Sequence, residues 1–223
     1  MRASLQRGIR YYNQKKYQDA LEEFQSLVID PGSNPEYAYY LGLCNTQLEN
    51  YEEALLYLEQ VVTSDFNVLY VYQSRMVLGY IYTITERYSL AAYEFKQLLE
   101  AGYESAQIYS ALGFISYSKG KIGESLDYLH KALEVEPDNA NAMNSLGFIM
   151  AEEGIETEGA LNLCKKAVDL KPNNPAYLDS LGWAYFKAGK VQEAKNYLKK
   201  ALVLSENNKE IVQHLDEVSK KSK

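Results

Sequence analysis

The residue types that most often do chemistry are thinly spread along these 223 residues. Two histidines, His130 and His214, have no neighbouring Cys or acidic pattern at metal-ligand spacing, so both read as surface residues and no metal is expected. Cys44 and Cys164 lie 120 residues apart, too sparse for a disulfide framework, and they fall at packed positions where a thiol is inert. The acidic pairs Glu22/Glu23, Glu52/Glu53 and Glu152/Glu153 fit solvated helix faces. No phosphate-cradling loop, dinucleotide fingerprint, nucleophile elbow or H-E-x-x-H pair occurs. Neither catalysis nor a cofactor is expected. What remains is apolar recognition chemistry, and its strongest sign is Trp183, the single tryptophan, placed directly after Gly182 inside a helical pattern.

The elements that position Trp183 recur. Aligned on a glycine, the chain reads "RGIRYY" at Gly8, "LGLCNT" at Gly42, "LGYIYT" at Gly79, "LGFISY" at Gly113, "LGFIMA" at Gly147 and "LGWAYF" at Gly182, at spacings of 34, 37, 34, 34 and 35. Twelve residues on comes a small residue (Ala20, Ala54, Ala91, Ser125, Ala194), with Ala160 one residue late through an insertion in "EEGIETEGA". Four further on comes Phe24, Leu58, Phe95, Leu129, Cys164 or Leu198, and Pro31, Pro137 and Pro172 close three units. Each unit reads as two helices joined by a short turn, at about 2–29, 35–64, 67–101, 105–135, 139–171 and 175–204.

This pattern resembles the tetratricopeptide (TPR) repeat over nearly the whole chain, and the second half is similar in style to the repeats of bacterial TPR proteins. The resemblance implies an all-α, right-handed superhelical solenoid of six TPR helix pairs plus a C-terminal capping helix. The units fall at about 1–34, 35–71, 72–105, 106–139, 140–174 and 175–208, with a capping helix and polar tail at 209–223. In that tail Ile211, Leu215 and Val218 share one stripe, which reads as a seventh helix covering the last pair rather than a membrane-binding peptide. The long spacing before Gly79 reads as an extended first helix in unit three that exposes some of Phe66, Val68, Leu69 and Tyr70. That is either a plain extension or an edge for a partner.

One residue past each glycine stand Ile9, Leu43, Tyr80, Phe114, Phe148 and Trp183, roughly opposite the packed face. The −3 and +4 positions share that side, among them Tyr39, Tyr117 and Phe186, and also Ser110, Asn144 and Asp179. The resemblance makes this the concave, ligand-bearing surface. Three readings stay open: packing against the neighbouring repeat, an aromatic floor for a partner segment, or self-association. The floor reading assigns the protein-binding groove to Tyr39, Leu43, Tyr80, Phe114, Tyr117, Phe148, Trp183 and Phe186. The family's basic carboxylate clamp is absent, since unit two offers Tyr39, Tyr40 and Leu43 and unit three Gln73, Met76 and Val77 at the matching places.

Charge narrows the partner. Net charge is −7 and no base occurs from Tyr17 to Ser74, so a basic stripe for nucleic acid is missing. The reading is a non-catalytic scaffold for another protein or peptide segment, apolar or aromatic with neutral or basic flanks. The alternative is a homo-oligomer joined through the same groove or an edge. No apolar run reaches the roughly 20 residues of a membrane span. The N-terminal stretch lacks a secretory pattern, so a cytoplasmic location is expected, or a periplasmic one if a leader preceded Met1.

Overall fold

Each repeat supplies an apolar stripe at helical spacing and a left-handed turn, and each from the second on adds an N-capping side chain; these signals set where the helices begin and end. The computed structural model describes residues 2–64, 67–205 and 208–221, so Phe66, one of the residues expected to be exposed by the long spacing before Gly79, and Asp65 lie outside the described residues. The chain forms two compact units, Met1–Tyr103 and Glu104–Lys223. The first holds α1 (Arg2–Asn13), α2 (Tyr17–Gln25), α3 (Pro35–Gln47), α4 (Tyr51–Val62), α5 (Val68–Ile84) and α6 (Tyr88–Glu100). The second holds α7 (Ala106–Ser118), α8 (Ile122–Val135), α9 (Ala140–Glu152), α10 (Thr157–Leu170), α11 (Pro175–Lys187), α12 (Val191–Leu204) and α13 (Lys209–Lys220). Among the described residues there is no strand.

Within a pair the two helices cross where side chains are smallest. A Cβ on Gly42 would fall 2.6 Å from Leu58 Cγ, and one on Gly147 would fall 2.7 Å from Cys164 Sγ. The small residues Ala20, Ala54, Ala91, Ser125, Ala160 and Ala194 at these crossings are fully buried. Ser125 satisfies its hydroxyl there by donating to the Gly113 carbonyl at 2.7 Å.

The helix ends follow the same period. Asn34, Asn67, Ser105, Asn139, Asn174 and Asn208 accept N–H bonds from the first turns of α3, α5, α7, α9, α11 and α13. Seven residues past each motif glycine the backbone turns left-handed, at Lys15, Glu49, Glu86, Gly120, Gly154 and Gly189. The next N–H then closes on the carbonyl five residues back, as from Lys121 to Ser116 at 2.9 Å. The insertion in the fifth unit is absorbed by a second left-handed residue, Glu156, with φ of 41°.

Two local readings are refined. The first pair ends at Gln25 rather than near 29, where the Ser26 hydroxyl donates to the Glu23 carbonyl. Helix α5 is indeed long, 17 residues against 12 or 13 for α1 and α3. It leaves Val68 58% and Leu69 57% exposed. Tyr70 instead packs edge-on to Tyr39, with ring centroids 4.7 Å apart.

Candidate protein-binding site

The −3, +1 and +4 positions of the first helices share one side, but neighbours cover them unequally. In the first unit Tyr39 and Leu43 are buried, and the Tyr39 hydroxyl donates to Gln73 Oε1 at 2.8 Å. Burial, followed by the nearby tyrosines, pushes the Tyr39 phenol above its ordinary range. Tyr80 stands out, 53% exposed.

In the second unit Phe114 is 48% exposed, whereas Trp183 is only 5% exposed. Tyr117 and Phe148 are half-buried and Phe186 is buried. The cover over Trp183 comes from α13. The indole stacks on the His214 ring with centroids 4.2 Å apart and lies 5.2 Å from Phe186. Its N–H donates to Glu152 Oε2 at 2.6 Å, and Lys187 Nζ lies 3.1 Å from the same oxygen. Phe148, Leu198, Leu215 and Val218 complete the cluster. Trp183 therefore serves packing between α11 and the last helix, the first of the three readings of the stripe.

His214 is not a surface residue. Its side chain is 14% exposed and its Nδ1 lies 2.9 Å from Asp179 Oδ2. Burial alone would lower its pKa, but the bond to Asp179 and the charges of Asp179, Glu210 and Glu152 outweigh burial and raise it. The signal for this pairing was Asn208, which caps α13 at the register of Asn174 and makes it the first helix of an incomplete seventh repeat. His130 is exposed. Burial pushes the Cys44 and Cys164 thiols up to about 12, which leaves both protonated and inert near neutral pH.

Two hollows flank Phe114. One, of about 330 Å³, is lined by Phe114, Tyr117, Asn144, Phe148, Asp179 and Glu210 among others. The other, of about 680 Å³, is lined by Ser110, Phe114, Glu136, Asn139 and Asn141 among others. Ser110 Oγ and Asn144 Oδ1, one per hollow, are shielded from solvent and lack a hydrogen-bond partner. An unmet polar atom of this kind costs about 1–3 kcal/mol.

Tetratricopeptide repeat models match residues 5–68, 117–175 and 175–208, more than half of the sequence. The chain belongs to the tetratricopeptide repeat family. No curated protein sequence matches it in a direct comparison. Among solved structures, YrrB, described as a TPR protein with an unusual peptide-binding site, is 20% identical with a TM-score of 0.59. That match covers 90% of this chain and 97% of YrrB. A TPR protein from Parabacteroides merdae is 17% identical with a TM-score of 0.69, over 97% of this chain and 83% of that one. A chain of the APC/C hetero-tetramer Cut9–Hcn1 is 16% identical with a TM-score of 0.77, over 96% of this chain but 42% of that one. These likenesses show a shared all-α superhelical TPR fold. No helix among the described residues is long and apolar enough to cross a membrane.

Proposed function

We propose that this TPR protein is a non-catalytic scaffold that binds a protein segment on the first-helix face of its second unit, with Phe114, Tyr117 and Phe148 as the contact residues. The half-exposed Phe114 ring between two hollows carries the reading, because the same position two repeats later, Trp183, is sealed by α13. TPR folds are interaction scaffolds, and the structural relative YrrB is described as binding a peptide. Trp183 and Phe186 drop out of the contact set because the chain itself covers them. In the first unit Tyr80 stays as a further exposed aromatic, while Tyr39 and Leu43 are packed within.

The test is a peptide selected from a random displayed library on the native protein. Phe114→Ala should weaken its binding by roughly 1–3 kcal/mol, the range of a buried interface aromatic, with helix content unchanged, and Phe148→Ala should do so with some loss of stability as well, because Phe148 also packs in the Trp183 cluster. Equal affinity for parent and variants refutes the site. Sedimentation over a concentration series separates this reading from occupation of the face by a second copy.

A further inference from the structure

We infer that the partner segment is cationic: an apolar anchor seated at Phe114 with Arg or Lys side chains flanking it. This rests on the reading above that the face binds a protein segment, and it adds the partner's chemistry. The charged side chains lining the two hollows are Glu136 on one side of Phe114 and Asp179 and Glu210 on the other, and no Lys or Arg lines either. Asp179 already holds His214 through both oxygens, at 3.0 and 2.9 Å. Glu136 and Glu210, both exposed, are therefore the carboxylates that meet an incoming cation. Glu136 accepts one bond from Asn139 Nδ2 at 2.8 Å, which fixes its carboxylate at the rim.

The occupant is a polypeptide segment, as in the reading above. A backbone crossing Phe114 brings N–H and C=O groups to both sides of the ring. An acidic segment would be repelled at both rims, and like-charge contact costs affinity and on-rate.

Panning a random displayed peptide library against the whole protein tests this. Enriched peptides should carry Arg or Lys beside an aromatic or aliphatic residue. Glu136→Lys and Glu210→Lys, at exposed positions, should each lower their affinity by roughly fivefold to tenfold, with melting unchanged for Glu136→Lys and helix content unchanged for Glu210→Lys, whose carboxylate also favours the His214 cation and the start of α13. Changing the peptide's basic residues to Glu should restore binding to the variants. Peptides that lose affinity on Phe114→Ala but show no basic bias, or that bind both Lys variants as well as the parent, overturn the cationic assignment and leave the binding face standing. A library that yields no binder overturns both.

Discussion

Trp183→Ala tests whether the only tryptophan is a keystone of the C-terminal end rather than a ligand contact. The indole is 5% exposed and packed on His214, Phe186, Leu198 and Val218. Truncating a Trp so enclosed costs about 3–5 kcal/mol. Phe114→Ala removes a ring that is 48% exposed, about half of the 1.5–3 kcal/mol carried by a fully buried side chain, hence roughly 1 kcal/mol. Because stability in repeat arrays is a sum of local and nearest-neighbour terms, the Trp183 loss should stay near α11, α12 and α13. Denaturant unfolding followed by circular dichroism should show an early transition in Trp183→Ala that Phe114→Ala lacks. Hydrogen exchange should show deprotected amides in α13. A Trp183→Ala protein within about 1 kcal/mol of the parent and with α13 still protected would refute the keystone argument.

Seating of α13 should also respond to pH. The His214 pKa is raised above its ordinary 6.5, so its contribution is complete below 6.5 and is lost as pH rises through the folded value. On the acid side, burial opposes the Glu152 carboxylate, but its bonds from Trp183 and Lys187 hold its pKa below 4.5; that contribution is lost as pH falls from 4.5 through the depressed value. Hydrogen exchange of α13 across pH should show most protection between these limits, and His214→Gln should abolish the alkaline loss. Flat protection would contradict the linkage. The left-handed turns predict opposite signs at two sites. Glu86 holds φ of 58°, so Glu86→Gly should stabilise by about 0.5–1 kcal/mol. Gly120→Ala, whose Cβ would meet nothing within 4 Å, should destabilise by about 1 kcal/mol for backbone reasons alone. Matching signs in denaturant midpoints would show that backbone strain does not govern these turns.

The repeat, its phase and its helix crossings were legible in the chain alone. A glycine, a small residue twelve positions on and a bulky one four beyond that are local in the chain, and together they let the two helices of a pair cross closely. The turn seven residues past each glycine and the caps at Asn139 and Asn174 are local too. The exposure of the aromatic stripe was decided only by the tertiary structure. Phe114 and Trp183 occupy the same repeat position with the same local pattern, yet one is half-exposed and the other sealed. Their difference depends on what the following helix carries. The first-helix position beyond α11 is taken by α13, whose His214 pairs with Asp179 and lies flat on the indole. That contact joins residues 31 or more positions apart, where helical periodicity carries no information, so burial there follows from how helices stack rather than from any one helix.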